Sequence, residues 1–151
     1  MSSLGYFYIA CGVLVLDRVS KALVSLFYHR GSMIFFRTGF FSLRYVENSG
    51  GAFGILPRKS ALFALVTFVS VGLIAYLLFF SNVNQFVIKL GLALLLGGSC
   101  GNLIDRLAYG AVVDFIQFGS FPIFNLADVA IVSGTGLIVF GLVGGSEAIG
   151  R

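Results

Sequence analysis

Two aspartates stand out in the stretch VVDFIQFGSFPIFNLADVA (112–130), whose charged residues are Asp114 and Asp128. A carboxylate beside long apolar runs is costly to hold near lipid and usually has a functional reason. Asp114 lies among Val, Phe and Ile, so we expect burial to raise the pKa of its carboxyl group. Asp128 follows Asn125 by three residues in NLAD, a spacing close to a capping box at a helix N-terminus, where negative charge is favoured.

Two carboxylates in such contrasting environments can act as an acid–base pair. When brought into contact they share one proton, because both cannot ionise cheaply at that distance. The ionised member can take a proton from water, while the protonated member polarises a peptide carbonyl and later protonates the leaving amine. We expect Asp128 to start as the base, and this chemistry requires no metal or covalent intermediate. A purely structural capping role for Asp128 is the alternative.

The composition indicates an integral membrane protein built as one domain of 151 residues. Hydrophobic residues make up 58% of the chain, mean hydropathy is +1.02, and charged residues are 11%, against about 25% in soluble domains. The net charge of +4 comes from ten thinly spread Lys and Arg, which favours anionic lipid over nucleic acid as a partner. Cys11 and Cys100 form no CxxC motif, and His29 has no ligand partner at zinc spacing. We therefore predict no metal and no other cofactor.

Four apolar runs approach the roughly 20 helical residues that cross a bilayer. The predicted membrane helices cover residues 4–28, 60–80, 86–107 and 125–143 of a single domain, 1–151. Because consecutive crossings are antiparallel, this threading brings nearly all polar side chains to one membrane face. That predicted polar face holds Asp17, Lys21, Asn48, Asn102, Asp105, Arg106, Asp114 and Asp128.

The loop on the polar face has the pattern of a small sheet. Phe41, Leu43 and Tyr45 alternate with Ser42 and Arg44, the period of a half-buried strand. A turn follows at NSGG, so we expect residues 31–57 to form a sheet on the bilayer surface with its aromatic side chains toward lipid. VVDFIQF (112–118) is a further candidate strand. The predicted fold is all-α, with four transmembrane helices and a small interfacial sheet.

Some of these polar residues also have plain structural interpretations. Asp17 and Lys21 stand at i,i+4, which favours an ion pair on one helix face. Asp105 and Arg106 are adjacent and do not face each other, so each pairs with another helix if it pairs at all. Asn102 and Arg106 share a face, and the small residues before them in GGSCGNLIDR permit close helix packing.

Two other classes of protein are alternatives to an enzyme. A four-helix membrane transporter or proton channel would carry its key carboxylate near the middle of a span. Here the run 61–80 contains no acid, and the acids of the other runs lie near their ends. A structural or assembly protein would use the polar residues only to lock helices together. The substitutions Asp114→Asn and Asp128→Asn distinguish these classes from an enzyme, because a catalytic pair requires each of them to abolish activity in a folded protein.

Four motifs, taken together and in order, resemble the lipoprotein signal peptidase family, the bacterial type II signal peptidases, across essentially the whole chain. They are DRVSK (17–21), NSGGAFGIL (48–56), GNLIDRLAYGAVVDF (101–115) and FNLAD (124–128). The first has Ser20 where the family usually has Thr. The resemblance implies a four-helix membrane aspartic endopeptidase with an interfacial β-cradle on the outer face, and it places the catalytic pair on Asp114 and Asp128. Implied substrate-binding or supporting residues are Asn48, Gly50, Asn102, Asp105, Arg106, Asn125, Asp17 and Lys21.

The resemblance also implies a substrate and a location. The substrate is a prolipoprotein whose cysteine carries a diacylglyceryl group, cleavage falls just before that cysteine, and the cyclic peptide globomycin inhibits the reaction. The enzyme would lie in the bacterial cytoplasmic (inner) membrane, in contact with its lipids, with the active site facing outward and both termini cytoplasmic.

Charge bias alone favours the opposite orientation. In the implied topology only Lys89 and Arg151 lie on the inner side. We follow the resemblance, because cations in a folded cradle can be paired or held at headgroup phosphates. The outer cations would be Arg18, Lys21, Arg30, Arg37, Arg44, Arg58, Lys59 and Arg106.

Overall fold

The computed structural model describes residues 2–28, 34–49 and 60–147. His29 lies outside these ranges, as do residues 31–33 and 50–57 of the predicted sheet region 31–57, which include Gly50. Along the described chain the elements are α1 (Ser3–Tyr28), β1 (Ile34–Thr38), β2 (Phe41–Asn48), α2 (Ser60–Phe79), α3 (Phe86–Tyr109), β3 (Val112–Phe118) and α4 (Leu126–Glu147). The prediction of a mostly helical chain with a small sheet is therefore confirmed.

Three helices of the described chain are long and apolar enough to cross a membrane: Ser60–Phe79, Phe86–Tyr109 and Leu126–Gly144. Within the protein only 17% of the α2 span is buried, so most of its apolar surface needs lipid to cover it. Helix α1 has 26 residues but includes Asp17, Arg18 and Lys21, and it is not among the three. That α1 crosses the membrane, and therefore that the protein has four transmembrane helices, stays a prediction.

Helix α3 lies at the centre of the bundle and contacts the three other helices. Glycines bring its backbone close to two of them: a Cβ atom on Gly97 would lie 2.5 Å from the Ala10 carbonyl oxygen of α1, and one on Gly98 would lie 2.5 Å from the Ala127 oxygen of α4. Small residues of this kind allow helices to pack through their backbones. The close packing expected from GGSCGNLIDR is present.

The three strands form an antiparallel sheet in the order β1-β2-β3. The strand predicted from the alternation after residue 40 is β2, and the candidate strand at 112–118 is β3. Between β2 and β3, Leu43 is opposite Ile116 and Val46 is opposite Asp114, with an irregularity between the two pairs. Because β3 ends shortly before α4 begins, the sheet holds Asp114 beside the start of the last helix.

Candidate active site

A reciprocal pair of hydrogen bonds closes the N-terminus of α4. The Asp128 backbone N–H donates to Asn125 Oδ1 at 3.0 Å, and the Asn125 backbone N–H donates to Asp128 Oδ2 at 3.2 Å. This is the capping box predicted from NLAD. It occupies one carboxylate oxygen of Asp128, while the other, Oδ1, accepts a hydrogen bond from Asn102 Nδ2 at 2.8 Å. The capping role and an active-site position are therefore compatible.

Asp114 is a buried carboxylate held by two amides. Its residue is 3% exposed; its Oδ1 accepts from Asn125 Nδ2 at 2.6 Å and its Oδ2 accepts from Asn48 Nδ2 at 3.0 Å. Burial raises the pKa of Asp114 from 3.8 to about 6, with the Asp128 charge adding to this effect. The two amide hydrogen bonds and the charge of Lys21 act in the opposite direction. The direction predicted from the sequence is confirmed.

Two asparagines connect the two aspartates. Asn125 Nδ2 donates both to Asp114 Oδ1 and, at 3.3 Å, to Asn102 Oδ1. Asn102 Oδ1 also accepts from Lys21 Nζ at 3.0 Å. Because this oxygen faces two donors, the Asn102 NH₂ group is directed toward Asp128. Both carboxylates are thus oriented by one continuous network of side-chain amides.

The two aspartates line the same cavity, which has a volume of about 530 Å³. Its other polar lining comes from Asn48, Asn102, Arg106 and Ser133, and the remaining wall is apolar. Arg106 donates to the Asn102 backbone oxygen at 3.4 Å, and its guanidinium carbon lies 5.8 Å from the ring centre of Phe63 on α2. A cavity of this size with a few convergent polar groups is typical of a site for an organic substrate.

Four charged side chains form a cluster beside this network, three of them buried and the fourth, Arg18, partly exposed. Lys21 Nζ lies 2.9 Å from Asp17 Oδ2 and 2.7 Å from Asp105 Oδ2. Arg18 Nη2 lies 2.5 Å from Asp105 Oδ1 and 3.2 Å from Asp17 Oδ2. Two acids and two bases make the cluster neutral, which reduces the penalty of burying each charge. The ion pair predicted at i,i+4 is present and belongs to this larger set.

The cluster is bonded directly to the start of α4. Asp17 Oδ1 accepts the Ala127 backbone N–H at 3.2 Å, so a carboxylate of α1 satisfies one of the free donors at the N-terminus of α4. Gly101 of α3 makes room for this carboxylate, since a Cβ atom there would overlap Asp17 Oδ2. α1, α3 and α4 therefore meet at one carboxyl group.

The structure brings most of the predicted site residues together. The charged cluster consists of Asp17, Arg18, Lys21 and Asp105. Lys21 connects this cluster to the amide network through its hydrogen bond to Asn102. Gly50 lies outside the described residues. Arg18 and Gly101 were not predicted as site residues, because their partners are distant in sequence. In the described ranges, no group of three or more His, Cys, Asp or Glu side chains is arranged to hold a metal ion. The amide network itself contains Asn48, Asn102, Asp114, Asn125 and Asp128.

Comparisons with known proteins agree over nearly the whole chain. A family model described as signal peptidase (SPase) II matches residues 9–143. The lipoprotein signal peptidase of Pelotomaculum thermopropionicum is 41% identical over 141 residues, 93% of each chain. That of Syntrophomonas wolfei is 44% identical over 135 residues, 87% of each chain.

Solved structures show the same architecture. A bacterial membrane enzyme determined by the in meso method at 2.3 Å resolution superposes with a TM-score of 0.84 at 30% identity, covering 94% of this chain and 89% of that one. A second, at 1.9 Å resolution, gives 0.77 at 31% identity, covering 91% and 92%. With the apolar helices described above, these matches show that the chain belongs to the signal peptidase II family and is a multi-pass membrane protease of bacteria.

Proposed function

We propose that this chain is an aspartic endopeptidase that removes the signal peptide from prolipoproteins carrying a diacylglyceryl cysteine, cleaving just before that cysteine. Membership of the family supports prolipoproteins as the substrate class. One observation carries the aspartic mechanism: Asp114 and Asp128 line one cavity, and Asn125 forms hydrogen bonds with both of them. No cofactor takes part in the proposed reaction.

The unequal environments of the two acids assign their starting roles. Asp114 is buried and its pKa is raised to about 6, so it is the member that holds the shared proton. Asp128 lines the same cavity at the start of α4, and we assign it as the base. Asp128 takes a proton from water, the water attacks the scissile carbonyl polarised by Asp114, and the pair then protonates the leaving amine.

The surrounding amides serve this chemistry by fixing geometry without competing for the proton. Asn48, Asn102 and Asn125 donate N–H groups to carboxylate oxygens, and an amide side chain does not titrate in this pH range. The rotamers of both acids are therefore set before substrate arrives. Preorganisation of this kind lowers the barrier because the reacting groups need no reordering.

The cavity fits a substrate that reaches the enzyme within the membrane. Part of its wall comes from Phe121, Val129 and Val132, whose side chains are also exposed on the outer surface of the protein. A substrate held in the bilayer by its acyl chains and signal helix can bring its scissile bond to such an opening from the side. We place the enzyme in the cytoplasmic (inner) membrane with this site facing outward and both termini in the cytoplasm.

Two isosteric substitutions test the mechanism. Asp114→Asn and Asp128→Asn should each reduce cleavage of a purified diacylglyceryl prolipoprotein by about 10²- to 10⁴-fold, the range supplied by general acid–base catalysis. The assay is run on purified enzyme in mixed micelles, with thermal unfolding measured to show that each variant is folded. Globomycin should inhibit the wild type, and EDTA should leave its activity unchanged.

Glu47→Gln provides the matched control. Glu47 is an exposed acid on β2 that accepts a hydrogen bond from the Tyr45 hydroxyl at 2.8 Å, and its neutralisation should leave cleavage at the wild-type rate. Retained cleavage by a folded Asp114→Asn or Asp128→Asn variant would reject the aspartic mechanism. Strong inhibition by EDTA would instead indicate a metal-dependent reaction.

A further inference from the structure

One face of the sheet carries a row of polar side chains contributed by all three strands. Arg37 is paired with Ser42, and Ser42 with Gln117, so these three side chains lie in one row across the three strands. Arg44 follows Ser42 by two residues and shares this face. Arg44 Nη1 donates to Gln117 Oε1 at 3.1 Å, which confirms that the two side chains meet.

A second cavity, of about 240 Å³, opens on this face. We call it the hairpin cavity; its polar lining is Arg37, Thr38, Ser42, Arg44 and Gln117, and none of the described residues that line it is acidic. The ion pairs found among the described side chains involve Arg18 and Lys21, so neither arginine of the hairpin cavity is paired with a described carboxylate. Two guanidinium groups beside hydroxyl groups form a site for a dianionic or monoanionic oxyanion.

Aromatic rings border the hairpin cavity. Phe40 and Phe41 belong to its wall, and both rings contact Phe118, with centres 6.0 and 5.0 Å apart. Phe40 is 72% exposed, and insertion at the boundary between headgroups and acyl chains would remove such an apolar ring from water. Arginines above an aromatic row are the combination found on surfaces that rest in a headgroup layer.

We propose that the hairpin cavity binds the phosphate of an anionic phospholipid of the surrounding leaflet. The planar guanidinium forks match two phosphate oxygens each, and the net charge of +2 in the lining favours an anionic headgroup over a zwitterionic one. The aromatic rings at the border of the hairpin cavity contact the acyl chains of the same phospholipid. A free phosphate has no such apolar part. The proposal does not depend on the peptidase reaction, because the hairpin cavity shares no lining residue with the cavity of the two aspartates.

Native mass spectrometry of the full-length protein with defined lipids tests the proposal. With equimolar phosphatidylglycerol and phosphatidylcholine, one phosphatidylglycerol should remain bound preferentially. Arg37→Gln should reduce its occupancy about fivefold, the effect of one Lys or Arg near an anionic surface. Arg37 is the variant of choice because it is exposed on a hairpin, so its loss should not unfold the protein. Arg37→Lys keeps the positive charge but not the planar guanidinium group, so its phosphatidylglycerol occupancy should lie between those of the wild type and Arg37→Gln.

Lys89→Gln is the matched control, since it removes one positive charge from α3 at the end near Tyr6, and it should leave the occupancy unchanged. Equal retention of both lipids, or undiminished phosphatidylglycerol on Arg37→Gln, would overturn the proposal. Displacement of the lipid by millimolar glycerol phosphate would show that a soluble anion suffices and would also overturn it. A raised KM for prolipoprotein in Arg37→Gln, measured without anionic lipid, would assign the arginines to the substrate instead.

Discussion

Asp114 combines two properties that usually exclude each other, since it accepts two amide hydrogen bonds and is nevertheless buried enough to hold a proton near pH 6. The amide hydrogen bonds favour the carboxylate, but desolvation is the larger effect. As a result the group changes charge close to neutral pH, where a shared proton is useful for catalysis.

This raised pKa makes stability depend on pH. Between about pH 4 and pH 6 the folded protein keeps a proton on Asp114 that the unfolded chain has already released, so stability falls as pH rises through this window and levels off above it. A shift of this size corresponds to about 3 kcal/mol. The unfolding temperature of the wild type in detergent should therefore decrease from pH 4 to pH 6.5 more than that of Asp114→Asn. Glu47→Gln should follow the wild type, and parallel curves for Asp114→Asn would contradict the assignment.

Lys21 has a role beyond neutralising the charged cluster, because its ammonium group also fixes the Asn102 amide that faces Asp128. Lys21→Met should destabilise the protein by about 3–5 kcal/mol, since it leaves a buried acid uncompensated. Adding Asp105→Asn removes that acid and should restore most of the unfolding temperature. Cleavage by the double variant should stay reduced, on the order of 10²-fold, because the Asn102 amide has lost one of the two donors that fix its orientation.

Cleavage assays and thermal unfolding of the single and double variants separate these two effects. Full recovery of cleavage in Lys21→Met/Asp105→Asn would show that Lys21 acts only through charge balance. Asp105→Asn alone is the companion measurement, because it removes the same acid while Lys21 keeps its contact with Asn102.

Among elements, α3 determines the geometry of the site through its glycines. Gly97 and Gly98 allow α1 and α4 to approach its backbone, and Gly101 leaves the space that the Asp17 carboxylate fills. A side chain at any of these positions requires two helices to separate. The glycines therefore control the distances on which the charged cluster depends.

Gly101→Ala tests this control. The added methyl group overlaps the Asp17 carboxylate, so the variant should lose about 1–3 kcal/mol of stability, the usual cost of overpacking, together with most of its cleavage activity. Gly72→Ala on α2 is the control, because nothing lies within 4 Å of its new Cβ atom, and it should be neutral or slightly more stable. A Gly101→Ala variant as stable and active as Gly72→Ala would contradict the tight contact.

Local sequence patterns predict the helices and strands of this chain well. They do not predict contacts between residues that are distant in sequence. The i,i+4 spacing predicts the Asp17–Lys21 pair, and NLAD predicts the capping box, because both depend on neighbours along one helix. The contact of Arg18 with Asp105 joins residues 87 positions apart, and no periodicity indicates it. The aspartates themselves were identified by family motifs, since spacing alone does not show that two acids meet.

For the whole molecule, the proposed orientation in the membrane conflicts with the positive-inside rule. The lysines and arginines favour the reverse orientation. Paired cations do not count fully toward that signal, and Arg18 and Lys21 are neutralised by Asp17 and Asp105 within the protein. Arg37 and Arg44 would be neutralised by lipid phosphate if the hairpin cavity is occupied as proposed. The proposed outward orientation of the site is therefore compatible with the charge distribution.

Single cysteines in a Cys11→Ala/Cys100→Ala background measure the orientation. Asn84 lies in the exposed turn between α2 and α3, and Ser120 lies in the exposed turn after β3. A membrane-impermeant maleimide added to spheroplasts should label Ser120→Cys at once and Asn84→Cys only after the membrane is permeabilised. Labelling of Asn84→Cys in intact spheroplasts would reverse the proposed orientation.

The hydrogen bond from the Ala127 backbone N–H to Asp17 has a consequence for biosynthesis. The first helix leaves the ribosome more than a hundred residues ahead of the last one, and until then the Asp17 acceptor lacks its backbone donor. Asp128 likewise arrives only with the final segment. If Asp128 is the catalytic base, as proposed, a nascent chain has no protease activity until its C-terminal helix has docked, so the bacterial membrane is not exposed to an incomplete hydrolase during translation.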